Sequence, residues 1–555
     1  MLLDEANVVA TLTKPLASLL VWIVQWYFAI VRYVYVGWNT LTQEKHVVTK
    51  PPADSLVLIS AVELVKKIRN REITATNVIE SYIQRIEVVD TRIHAVVQKN
   101  YDDARERAKE VDALLDSLDK NSEEYRKLIE TKPLLGVPFS IKDQFLIKGL
   151  RTTVGMTCFR NMPLAEEDAE VVKNLREAGA IPLTVSNVPE GVMWGEGTNS
   201  IYPRTLNSYD SRCAPGGSSS GEGALLAAAA SVIGVGTDIA GSIRLPAMLN
   251  GVFGLKPSPH LGSIKGMIPN QLHGYQNEMA ALGPMTRYAC DLMPFFKVLI
   301  GTENSKKLRL DDSVDVSKLR FYSMQSTGNR LLSPSLQPDV LGAFLKTINH
   351  FREFTEKEVV AVEFETAKYA ANFWFASMTE AGGLSTGQFF GGFGTCEPVN
   401  FLRELPKWLR GKSEHTSAVM LALGIEEVSK FISIDRPAIE SMRDQLRADI
   451  IELLSENGVL IFPSLPQSSY HHNEMLWNPF QGEYTAIWNA LSLPAVSCPV
   501  GLNASGIPLG VQLVASPHNE RLLIAAAVEI ERAFWWLRSA PRTTGIIEWS
   551  FNTRL

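Results

Sequence analysis

The sequence predicts an α/β protein with a central sheet, and three observations carry that reading. Short apolar runs recur at 134–141, 181–185, 232–236, 458–462 and 511–514, each the length of a buried strand. Helical patterns separate them, as expected where helices cover a sheet. Hydrophobic residues make up 46% of the 555 positions, enough for a large core. That length has room for several domains. No linker after residue 54 divides two regimes of composition, however, so one large domain over 55–555 fits better.

Composition excludes other classes. The net charge of −6 offers no electrostatic case for nucleic acid. Disordered chains are poorer in apolar residues and more highly charged. Few windows approach the apolar length that a polytopic membrane protein needs. Cys158, Cys213, Cys290, Cys396 and Cys498 are odd in number and widely spaced, which predicts free, mostly buried thiols. The one adjacent histidine pair, His471–His472, is a poor metal site because neighbouring side chains diverge. Neither a metal nor an organic cofactor is implied.

The elements follow in order. Residues 1–40 hold the most apolar stretch, 16–38, with 17 uncharged residues between Lys14 and Arg32. That meets the lower bound for a transmembrane helix, and six Trp and Tyr residues supply interfacial anchors. A spanning helix, a helix lying in the membrane interface and a helix docked on the protein are the three readings. Residues 41–54, with Pro51 and Pro52, read as a linker. Ser60 with Glu63 forms a capping-box pattern. A second helix starts near Thr76, with Ile79, Ile83 and Ile86 on one face. The charged stretch 101–131 reads as a solvated helix.

Residues 215–223, Pro-Gly-Gly-Ser-Ser-Ser-Gly-Glu-Gly, admit several readings. A phosphate loop lacks its terminal Gly-Lys-Ser/Thr. A nucleophile elbow around Ser219 needs a strand just before it, and Arg212-Cys-Ala-Pro215 is not one. A flexible linker fits poorly with the small-residue helix Ala224–Ser231 that follows. After that helix, 234–247 reads as a strand, a tight turn and a new helix opening near Ser242, with Pro246 in its first turn.

Spacing across the chain supports a fourth reading. GVPFSIK ends at Lys142, Gly-Gly-Ser218 follows 76 residues later, and Gly-Thr-Asp-Ile-Ala-Gly-Ser242 a further 24 on. With Gly251-Val-Phe-Gly-Leu-Lys-Pro257 and Gly506-Ile-Pro-Leu-Gly-Val-Gln-Leu513, this pattern resembles the amidase signature family over roughly residues 55–538. The resemblance implies a single α/β domain whose mixed, twisted sheet is surrounded by helices. It implies a triad of Ser242 as nucleophile, Ser218 as relay and Lys142 as base, with a cis peptide before Ser218. Its oxyanion hole would be the N–H groups of Ile239, Ala240, Gly241 and Ser242, and Ala240 stands where the family usually has glycine. Asp238 and Arg244 match supporting positions. Chemistry agrees with the base: a serine needs a proton acceptor, and burial disfavours charged lysine.

The family contains fatty-acid amide hydrolases, small-amide amidases and the glutaminase component of tRNA-dependent transamidation. Two features favour a lipid amide. One is the apolar segment at 16–38. The other is 398–410, where Phe401, Leu402, Leu405, Trp408 and Leu409 interleave with Arg403, Lys407 and Arg410, a pattern suited to a membrane surface. Pro406 restricts that segment to broken helix. Aromatic residues at 373–394 are candidates to line an acyl channel. The expectation is a membrane-bound serine hydrolase of long-chain fatty-acid amides, with a homodimer left open. The alternatives are a soluble-amide amidase, a glutaminase-type transamidation component, or a catalytically silent membrane-attached binding protein.

Overall fold

Backbone groups inside a core need partners, and among the described residues eleven strands joined in one sheet, together with the helices around it, supply them. A computed structural model describes residues 14–42, 49–329, 333–379, 383–430 and 435–534. Residues 43–48 of the expected linker and 535–555 of the expected catalytic domain lie outside the described residues.

The strands are β1 (Val96–Lys99), β2 (Pro138–Lys142), β3 (Ile181–Ser186), β4 (Ile233–Asp238), β5 (Phe253–Lys256), β6 (Ala281–Thr286), β7 (Arg320–Ser323), β8 (Val360–Ala361), β9 (Gly458–Pro463), β10 (Ala495–Leu502) and β11 (Pro508–Ala515). Their order across the sheet is β1-β3-β2-β4-β6-β5-β10-β11-β9-β7-β8. β2 runs parallel to both β3 and β4, whereas β4–β6, β5–β6, β5–β10 and β10–β11 are antiparallel. The sheet is therefore mixed, and helices cover it. All five apolar runs overlap strands, although 134–137 of the first run lie in the turn before β2. β2, β3, β9 and β11 are buried at every position, which is why they read as continuous apolar runs rather than alternating ones.

Helix starts are capped from near and far. Ser60 accepts the Glu63 N–H at 3.2 Å, the first half of the expected box. The N–H groups of Ala61 and Val62 go instead to the buried Asp291 carboxylate, at 2.9 and 3.0 Å. Asp112 does the same for Ala75 and Thr76 at the start of the helix Ala75–Ile93. The stretch 101–131 is not one solvated helix. It breaks into Tyr101–Ser117 and Glu123–Thr131, with Ser122 capping the second. Ala104, Ala108, Val111 and Leu115 form a buried stripe on the first. The cysteines are all free, but only Cys213 and Cys498 are buried.

The N-terminal segment forms a helix, Lys14–Thr42. Among the described residues no helix is long and apolar enough to cross a membrane, so the spanning reading is not supported. The physical reason lies on the helix's inner face. Gln25 Nε2 donates to the Ser333 carbonyl at 2.9 Å, and Arg32 donates to the Ser469 carbonyl at 2.7 Å and to Glu474 at 3.0 Å. These polar groups are satisfied by the large domain, along which the helix lies. Its outer face exposes Trp22, Trp26, Ile30, Tyr33 and Trp38.

Residues 401–409 form one helix, Phe401–Leu409, which contains Pro406 rather than breaking at it. Proline frees the carbonyl four residues earlier, here that of Leu402 on an exposed turn where water can satisfy it. Phe401 and Leu405 pack toward Phe159, Phe390 and Phe393, while Leu402 and Leu409 face outward.

Removing the remote cap tests this packing. Asp291→Ala strands the Ala61 and Val62 N–H groups, and we expect a loss of about 1–3 kcal/mol of stability, read as a lowered denaturation midpoint.

Candidate active site

Lys142 is the last residue of β2 and is completely buried. Parallel pairing of β2 with β4 sets Ile141 opposite Val235, so Lys142 follows one step on, with Thr237 within reach of its side chain. Lys142 Nζ lies 2.8 Å from Ser218 Oγ and 2.8 Å from Thr237 Oγ1. The Thr237 hydroxyl donates to Gln144 Oε1 at 2.7 Å, so it accepts from the lysine. Burial pushes Lys142 down to about 7, against the opposing pull of Asp238 and Glu222.

Ser218 enters the site from the glycine-rich loop just before the helix Ser220–Ala227. The Gly217–Ser218 peptide is cis. A Cβ on Gly217 would lie 2.4 Å from the Trp194 carbonyl oxygen, so only glycine fits against that wall. Ser219 and Ser220 are fully buried, and no strand precedes them, which removes the elbow reading at Ser219. The Ser219 N–H donates to the Ser242 carbonyl at 3.1 Å and ties the two serine segments together.

Ser242 lies in the turn between β4 and the helix Arg244–Leu249, and is partly exposed. Asp238 organises this turn. Its carboxylate accepts the N–H groups of Gly241 at 2.7 Å and Ile243 at 3.1 Å, and pairs with Arg244 at 3.0 Å with both side chains fully buried. Burial raises Asp238, but Arg244, Lys256 and Asn489 outweigh it and hold the carboxyl well below the usual range. Arg244 also reaches Gln512 Oε1 at 2.8 Å and Asn489 Oδ1 at 2.6 Å.

One expected oxyanion donor is therefore engaged elsewhere. The Gly241 N–H already serves Asp238. Among the described residues, the N–H groups of Ile239, Ala240 and Ser242 donate to no protein acceptor. Ala240 does not have positive φ, so its methyl group is accommodated without strain. Gly241 has φ +120°, and a Cβ there would meet Thr485 Oγ1 at 2.1 Å.

Several neighbours escaped sequence reasoning. Thr237 lies inside the quoted motif with no role read for it, and Gln144, two residues after Lys142, carries no spacing signal of its own. Trp374 Nε1 donates to the Ile239 carbonyl at 2.9 Å, and Thr485 Oγ1 to the Ala240 carbonyl at 2.7 Å, so distant helices clamp the turn from outside. Glu222 is buried, accepts from Ser140 Oγ at 2.6 Å and is pushed up to about 7 by burial. The aromatic residues at 373–394 divide. Phe373 joins the core around Trp488, Trp374 backs the turn, and Phe389, Phe390 and Phe393 join the cluster under the helix Phe401–Leu409.

Residues 77–524 match the amidase family, and the chain belongs to that family, the amidase signature enzymes. It is an amide hydrolase. It is 38% identical to Fatty-acid amide hydrolase 2 of Homo sapiens, over 87% of this chain and 91% of the relative. It is 28% identical to a glutamyl-tRNA(Gln) amidotransferase subunit of Lachnoclostridium phytofermentans, over 85% of this chain and 97% of that one. A solved fatty acid amide hydrolase structure superimposes with a TM-score of 0.65 at 22% identity, covering 91% of this chain and 88% of that chain.

The two adjacent small residues of the turn should answer differently to substitution. We expect Gly241→Ala to cut fluorophosphonate labelling at least about a hundredfold through misplacement of the turn. Ala240→Gly should stay within about threefold of wild type, because the alanine occupies ordinary backbone and its N–H is retained.

Proposed function

We propose that the protein is a membrane-associated serine hydrolase that cleaves long-chain fatty-acid amides through an acyl-enzyme on Ser242. The observation that carries the mechanism is the buried contact of Lys142 Nζ with Ser218 Oγ at 2.8 Å, beside a turn in which, among the described residues, the Ile239, Ala240 and Ser242 N–H groups donate to no protein acceptor. Because Lys142 donates to Thr237, a neutral amine keeps its lone pair for the Ser218 hydroxyl hydrogen. Ser218 in turn draws the Ser242 proton as Ser242 Oγ attacks the amide carbon. The negative oxygen is held by the N–H groups of Ile239, Ala240 and Ser242, each such donor contributing about 3 kcal/mol. Collapse of the intermediate breaks the C–N bond, and the relayed proton goes to the departing amine. Water then enters by the same relay and releases the fatty acid. Asp238 and Arg244 support the turn without touching the substrate.

The lipid reading rests on similarity to Fatty-acid amide hydrolase 2 and on two exposed apolar surfaces. One is the outer face of the helix Lys14–Thr42 and the other is the Leu402 and Leu409 face of the helix Phe401–Leu409. Amphipathic faces rich in Trp and Leu bind the membrane interface without spanning it. In this reading residues 1–40 are the membrane-contacting segment, 41–54 the linker and 55–555 the catalytic domain. Similarity to the glutamyl-tRNA(Gln) amidotransferase chain keeps glutamine hydrolysis as the second reading.

Comparing hydrolysis of oleamide, glutamine and short amides decides the substrate, and glutamine turnover above oleamide turnover would overturn the lipid reading. We expect Ser242→Ala and Lys142→Ala to lose at least about a thousandfold in kcat, reflecting the unit behaviour of such groups. With Lys142 near 7, protonation below that value occupies the lone pair that Ser218 needs. Activity should therefore rise with pH through about 7, and the acid limb should vanish from the residual rate of the Lys142 variant.

A further inference from the structure

The N-terminal helix is bonded to a loop that reaches the active site from behind. We infer that Arg32 is a positioning residue for amide hydrolysis, bracing the wall on which the Gly217–Ser218 peptide rests. The inference rests on the reading of Ser218 and Ser242 as the reacting pair.

Contacts run without a gap from the helix to that peptide. Arg32 donates to the Ser469 carbonyl at 2.7 Å and pairs with Glu474 at 3.0 Å. The Glu474 side chain is only 4% exposed, and it also accepts the His471 N–H at 2.8 Å. Glu474 thus folds the 469–474 loop around itself, and Arg32 is its ion-pair partner. The same loop holds residues 195–196. The Asn473 N–H donates to Glu196 Oε2 at 2.8 Å, and the Tyr470 hydroxyl donates to the Gly195 carbonyl. Met475 packs so closely that a Cβ on Gly195 would lie 2.2 Å from its sulfur. Residues 194–196 then abut Gly217, where a Cβ would fall 2.4 Å from the Trp194 carbonyl oxygen and 3.0 Å from the Glu196 nitrogen.

A carboxylate this buried is costly without a counter-charge. Losing Arg32 loosens the loop locally rather than unfolding the domain, because the sheet and its core lie elsewhere. The wall behind Gly217 then relaxes, and Ser218 loses register with Lys142. The outer face of the same helix is the one assigned above to the bilayer, so membrane contact and catalytic geometry share one element.

The test uses the full-length protein in detergent micelles with hexanamide, a soluble amide that removes membrane delivery from the measurement. For Arg32→Met we expect kcat per active site to fall about tenfold or more while KM stays within about twofold, the mark of a misplaced reacting group. Fluorophosphonate labelling of Ser242 should slow in parallel. Backbone hydrogen exchange should quicken at 193–197 and 467–477 and stay unchanged in β9 and β11. Arg32→Lys, which keeps the charge, should recover part of the rate. Unchanged exchange at 193–197 in Arg32→Met overturns the proposal whatever the activity. So does a rate loss that disappears when normalised to labelled sites, since that marks simple unfolding. Failure of the nucleophile reading shows separately, as wild-type protein that resists labelling at Ser242.

Discussion

The turn that carries Ser242 is referred to one fully buried ion pair, Asp238 with Arg244. A charge with no access to water must find its hydrogen bonds inside the protein. Asp238 finds them in the backbone of its own turn, at Gly241 and Ile243, and thereby dictates the path of the chain from β4 to Ser242. Arg244 carries the pair outward to Gln512 on β11 and to Asn489, so strands far apart in sequence hold the same turn. The polar core of the turn is satisfied by these bonds, and among the described residues the Ile239, Ala240 and Ser242 N–H groups donate to no protein acceptor.

The second constraint is the burial of Lys142. Desolvation disfavours its charged form, and the nearby carboxylates of Asp238 and Glu222 oppose this only in part. The balance leaves an amine pushed down to about 7. β2 places it there because a strand buried on both faces has nowhere wet to put its last side chain.

Two helices at the periphery share a design in which a polar or aromatic inner face bonds to the domain and an apolar outer face remains open. In the helix Lys14–Thr42 the inner face carries Gln25, Arg32 and Tyr35, and in the helix Phe401–Leu409 it carries Phe401, Glu404 and Leu405. A hydropathy reading of the first cannot separate such a docked helix from a spanning one, since both are rich in apolar residues. The ion pair between Arg32 and Glu474 separates them, and its partners lie 442 residues apart in sequence.

The sequence by itself determined the fold class, five strand positions and the motif spacing that singled out Lys142, Ser218 and Ser242. Those features are local or periodic: apolar runs, capping residues, and glycines where backbone approaches backbone. Tertiary structure alone decided the rest. It assigned the Gly241 N–H to Asp238, recruited Thr237, Gln144, Trp374 and Thr485 to the site, split the 101–131 helix and laid the N-terminal helix along the domain. The Asp238–Gly241 bond and the break capped by Ser122 are local, but the others turn on hydrogen bonds or packing between residues whose separation in the chain carries no period. Such pairings exist only once the sheet has brought distant segments together.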